Sequence, residues 1–139
     1  MTNIKDVKNL LEKSQTIAIV GLSTNPERDS YIVADYLRNH GYKIIPINPN
    51  IENWNGLKSY QRVIDVTDTV DIIDIFRKNE AVLDIVKEAL RLRQKPKAIW
   101  IQLGIENNEA RELAEKNDLF VVGNKCIKIE HQRLFSNHL

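Results

Sequence analysis

The chain has 139 residues, 42% of them apolar and 28% charged, which is the balance of one soluble globular domain spanning 1–139. Twenty basic and nineteen acidic side chains leave a net charge of +1, which argues against a nucleic-acid partner but leaves room for a local anion site. One cysteine excludes an internal disulfide framework and fits a reducing cytosol. No apolar run reaches the roughly 20 residues of a membrane span, and the polar start Met1-Thr-Asn-Ile-Lys-Asp is unlike a secretory signal.

In chain order, Ile4, Val7, Leu10 and Leu11 share one face of a short first helix. Thr16–Val20 is a compact, β-branched run ending at Gly21, the pattern of a buried strand. A polar loop leads to a helix from Ser30, with Ile32, Val33, Tyr36 and Leu37 on its inner face and Gly41 as its stop. Lys43–Asn48 is a second strand in which Pro46 favours an edge, a strand end or a bulge over a central ladder. A helical or turn segment is expected around Val63–Val66. Asp71–Phe76 is a third strand. Asn79 is expected to cap a helix whose stripe is Val82, Ile85, Val86, Ala89 and Leu90. Ala98–Leu103 is a fourth strand ending at Gly104, followed by a helix over Asn108–Lys116. Leu119–Val122 is a fifth strand, and the tail from Asn124 to Leu139 has no clear period.

Strands alternating with helices imply βαβ units and a three-layer, Rossmann-like open parallel sheet with helices on both faces. The expected order of the five strands is 3-2-1-4-5, with a ligand crevice at the carboxyl ends of strands 1 and 4. Candidate ligand residues then lie just beyond each strand: Gly21–Ser30, Asn48–Asn50, Phe76–Lys78, Gln102–Gly104 and Gly123–Cys126.

The first loop joins a glycine, which permits close backbone approach, to a helix start with free N–H groups. Ser23, Thr24, Asn25 and Ser30 add polar side chains, and Arg28 adds a cation suited to phosphate. Turn geometry alone would also favour Gly, Ser, Asn and Pro there. No glycine follows Gly21 before Gly41, so the G-x-G-x-x-G dinucleotide fingerprint is absent, as is a Walker P-loop. Strand 2 ends in neutral Asn48 rather than the carboxylate that binds an NAD ribose. This weakens NAD as ligand and permits a phosphorylated ribose. Phe76, Arg77 and Lys78 suit a base and a phosphate, or a core aromatic beside solvated cations. Asp71 and Asp74 are three apart and point to opposite faces of a regular strand, so they form no carboxylate dyad and read as solvated strand edge. Cys126, Glu130 and His131 lie on an irregular tail whose spacing does not unite them in a metal or nucleophile site.

The run Ile19-Val-Gly-Leu-Ser-Thr-Asn-Pro-Glu-Arg-Asp-Ser-Tyr resembles the first loop of small bacterial and archaeal CoA-binding proteins. These are similar to the N-terminal CoA-binding domain of the succinyl-CoA synthetase alpha subunit. Pro46-Ile-Asn-Pro, Asp74-Ile-Phe-Arg, Trp100-Ile-Gln-Leu-Gly and Cys126-Ile-Lys-Ile-Glu-His follow in the order that family shows. The resemblance implies a stand-alone binder of coenzyme A or acyl-CoA without catalysis of its own. Gly21, Leu22, Ser23, Asn25, Arg28, Ser30 and Tyr31 match the diphosphate loop, Asn48 and Pro49 the nucleoside-side turn, and Phe76 and Arg77 the third-strand contacts. Asp29 stands where relatives often carry Pro. Asn50 stands where they often carry Lys, a cation for which Arg77 or Lys78 can compensate. The synthetase's phosphorylated histidine belongs to parts this chain does not match. An acyl-CoA-using or NAD(P)-dependent enzyme, and a CoA-sensing interaction module, are the competing readings.

Overall fold

The structure is a computed structural model that describes residues 3–136. Five parallel strands form the central sheet: β1 (Thr16–Val20), β2 (Lys43–Ile47), β5 (Ile72–Ile75), β6 (Ala98–Ile101) and β7 (Phe120–Gly123). Between β2 and β5 lie a small antiparallel pair, β3 (Asn53–Trp54) with β4 (Leu57–Lys58), and a 3-10 turn over Val63–Asp65. Strand side chains alternate between two apolar layers, as the period-2 geometry of a strand requires. Ala18, Val20, Ile73, Ile75, Ile99 and Ile101 face one layer, which α3 (Val82–Leu90) and α4 (Asn108–Lys116) cover. Ile17, Ile19, Ile72, Trp100 and Val122 face the other, under α1 (Ile4–Lys13), α2 (Asp29–Asn39) and α5 (Ile127–Phe135). The three-layer α/β class is therefore as the sequence implies.

The strand order differs from the expectation. The sheet runs β2-β1-β5-β6-β7, so the third long strand lies beside the first and not beside the second. In the expected order 3-2-1-4-5 the second strand would be interior. Pro46 shows why it is not. Its carbonyl accepts from Tyr60 N–H at 2.9 Å on the outer side of β2, while the next carbonyl, of Ile47, accepts from Gly21 N–H on the β1 side at 2.8 Å. The missing Pro46 donor therefore faces outward, where an interior strand would have needed it for a ladder bond. As an edge strand, β2 needs only the local bridge to Tyr60. The winding consequently reverses between β1 and β5, and the crevice moves from strands 1 and 4 to the ends of these two neighbours.

Two local expectations also change. The tail is not irregular: it carries α5, whose buried face includes Ile127, Glu130 and His131. Asn79 does not cap its own helix, which starts at Val82 without a side-chain cap. Its Oδ1 instead accepts from Glu106 N–H at 3.0 Å, tying the loop after β5 to the loop after β6.

Candidate functional site

The two loops at the reversal touch. Gly21 has φ +88°, and a Cβ there would stand 2.3 Å from the Phe76 carbonyl oxygen. Glycine is thus required by the packing of the β1 loop on the β5 loop, before any ligand is considered. Beyond Gly21 the chain is held by short polar turns. Ser23 N–H donates to Ser30 Oγ, Asn25 N–H to Ser23 Oγ, and Glu27 N–H to Asn25 Oδ1, each at 3.0 Å. This series delivers the chain into α2, whose N-cap, Arg28, contributes no side-chain hydrogen bond. The first N–H groups of α2 are therefore open toward the loop, with the positive end of the helix dipole behind them.

Three cavities adjoin along this edge of the sheet. A pocket of about 580 Å³ lies over the first loop, lined by Gly21, Ser23, Glu27, Arg28, Asp29, Ser30 and Phe76. A narrower one of about 210 Å³ lies on the α3 side, with Gly21, Pro49, Val63, Arg77 and Ile85 in its wall. The largest, about 660 Å³, opens on the α2/α5 side and includes Phe76, Arg77, Lys78, Gln102, Leu103 and Cys126. Gly21 belongs to the first two, Arg77 to the second and third, and Asp29 and Phe76 to the first and third. The result is one continuous groove.

Arg28, Arg77 and Lys78 are exposed and form no ion pair with a described residue, so their charge is free for a ligand. Arg62, at the narrow pocket, is committed to Glu88 at 3.2 Å. Glu27 and Asp29 put two carboxylates on the first-loop pocket, which makes the cations and the α2 N-terminus the features that favour an anion there.

Several candidates from the sequence have structural positions instead. Leu22 is fully buried in the core, so only its backbone can face a ligand. Asn48 donates from Nδ2 to Leu22 O at 3.0 Å and accepts Asn50 N–H on Oδ1 at 2.9 Å, bracing the ends of β1 and β2. Asn25 is occupied by its own turn. Tyr31 lies against Trp54, with ring centroids 5.2 Å apart, and its hydroxyl accepts from Asn55 Nδ2. It lines a side pocket with His40 and Lys128, which meets the large cavity at Ile32 and Lys128. Gly21, Ser23, Arg28, Ser30, Pro49, Phe76, Arg77 and Lys78 do line the groove.

The α5 wall was missing from the sequence reading beyond Cys126. Gln102 Oε1 accepts Ile127 N–H at 3.1 Å, so the end of β6 fixes the start of α5. Trp100 Nε1 donates to Lys125 O and Asn124 Oδ1 accepts Gly104 N–H, which locks the same two loops together. Cys126, Glu130 and His131 diverge. Cys126 lines the large cavity, Glu130 pairs with Arg133, and His131 Nδ1 shares a 2.7 Å hydrogen bond with Tyr36 Oη. Among the described residues no group of three His, Cys, Asp or Glu side chains could hold a metal ion, and no helix is long and apolar enough to cross a membrane.

A Bacillus subtilis protein, YneT, is 32% identical over 126 residues, covering 91% of this chain and 92% of that one. An ADP-forming acetate–CoA ligase of Methanocaldococcus jannaschii is 27% identical over 130 residues; the match covers 88% of this chain but only 18% of the ligase. The solved structure of a hypothetical protein from Pyrococcus horikoshii superposes with a TM-score of 0.92 at 36% identity, over 97% of this chain and 94% of that one. The family model described as the CoA binding domain matches residues 15–132, from the start of β1 into α5, and the chain belongs to that family.

Proposed function

We propose that this chain acts as a single-domain, stand-alone binder of coenzyme A or acyl-CoA, with no chemistry of its own. The observation that carries this reading is the shape of the groove: a narrow pocket, a polar loop at a helix N-terminus, and a large cavity, joined end to end at Gly21, Phe76 and Arg77. CoA has three parts in that sequence: a 3′-phosphorylated adenosine, a diphosphate, and a pantetheine arm. The adenosine fits the pocket floored by Val63 and Ile85, and the diphosphate takes the α2 N-terminus and Arg28. Arg77, on the wall shared by the narrow and large cavities, and Lys78 are the cations for the ribose phosphate. The arm enters the cavity bounded by Gln102 and Cys126. Nothing in the first loop offers the glycine fingerprint of an NAD site.

Calorimetry at fixed salt tests the reading. CoA should bind more tightly than NAD and more tightly than dephospho-CoA, and Arg77→Ala should narrow the second gap and its salt dependence. NAD binding as tight as CoA would overturn the proposed ligand. An intact CoA/dephospho-CoA gap in the variant would remove Arg77 from the site.

A further inference from the structure

Among the described residues, four large apolar side chains are exposed: Ile4, Ile32, Leu103 and Ile129. Single exposed apolar residues need no explanation, but a cluster does. Three of these four converge on the 660 Å³ cavity, at 40% exposure for Ile32, 61% for Leu103 and 46% for Ile129. They come from α2, from the loop after β6 and from α5, so no single helix pattern accounts for their meeting. Ile32 belongs by spacing to the inward stripe of α2, yet it opens onto this cavity.

Of the cations on the same lining, Lys78 lines this cavity alone, while the other two have further neighbours. Arg77 also belongs to the narrow pocket, and Lys78 adjoins it in the chain. Lys128 holds its ammonium over the Tyr36 ring, 5.7 Å from the centroid. Leu103 and Ile129 line only the large cavity, whereas Phe76 and Asp29 also line the phosphate-side pocket. A CoA arm entering past Phe76 therefore meets the apolar surface formed by Ile32, Leu103 and Ile129.

Resting on the reading of the groove as a CoA site, we infer that this cavity selects acyl-CoA with a linear apolar acyl chain over free CoA. The chain covers Ile32, Leu103 and Ile129, which free CoA leaves in water.

The test is calorimetry of the full chain with CoA, acetyl-CoA, butyryl-CoA and hexanoyl-CoA. Affinity should rise from acetyl to hexanoyl by up to about 4-fold per methylene, the equivalent of about 0.8 kcal/mol per buried methylene. The double variant Leu103→Asn, Ile129→Asn should flatten the chain-length series; both side chains are exposed, so folding should be spared. Hexanoyl-CoA binding no tighter than CoA would overturn the inference while leaving CoA binding standing. So would a chain-length series that survives in the double variant. A dimer that the double variant dissociates, with no chain-length series, would assign the apolar rim to a second copy. Failure of CoA and every thioester to bind would overturn the proposed function as well.

Discussion

Asp74 lies in the middle of the central strand, in register between Ile19 of β1 and Trp100 of β6. It is fully buried, and neither carboxyl oxygen makes a hydrogen bond of ordinary geometry. Burial pushes its pKa well above the usual carboxylate range, and the nearby Ile75 N–H offsets only part of that. The folded chain therefore keeps this proton at pH values where the unfolded chain, with an aspartate pKa of about 3.9, has lost it. Between the two pKa values the folded state binds more protons, so stability falls as pH rises. The slope approaches about 1.4 kcal/mol per pH unit within that window, and the penalty stops growing once the folded group ionises. Asp74→Asn keeps the shape and has no proton to lose. Urea unfolding of both proteins, from about pH 4 to about pH 8, gives a difference in which the other titrating groups cancel. The advantage of the Asn variant should grow with pH from near 4 upward. A difference that stays flat would show that the carboxyl titrates normally, and so finds water or a partner inside the fold.

Gly21→Ala should cost at least about 1 kcal/mol in urea unfolding, because a left-handed residue with a Cβ carries roughly that penalty. The added Cβ would also press on the Phe76 carbonyl, so CoA binding should weaken with it; an unchanged urea midpoint would show that the two loops part freely. His131, packed among Tyr36, His40 and Phe135, has its pKa lowered by burial first and by His40 second. Its contribution to stability is full above the unfolded value of about 6.5 and is lost as pH falls toward the lower folded value. Thermal unfolding should show that acid-side loss, and His131→Gln should remove it; the same pH profile in both proteins would assign the loss to other groups.

The apolar β-branched runs at Thr16–Val20, Lys43–Ile47, Ile72–Ile75, Ala98–Ile101 and Phe120–Gly123 identified all five long strands, because a buried parallel strand must be apolar on both faces. Their carboxyl ends in turn marked Gly21–Ser30 and Phe76–Lys78 as groove loops. Strand order was a matter of tertiary structure. Placing β5 beside β1 depends on which side of β2 is left for a neighbour, and Pro46 excludes an interior β2 without naming the order that replaces it. Asp74 read as solvated because a carboxylate in a short strand is most cheaply placed in water; the layer of α1, α2 and α5 over that face is what dries it. α5 escaped detection because its buried face carries Glu130 and His131, polar residues that break the apolar period but find partners in Arg133 and Tyr36. The apolar mouth of the large cavity had no local signal at all. Ile32, Leu103 and Ile129 are far apart in the chain, and only the packing of α2 and α5 beside the end of β6 brings them to one surface.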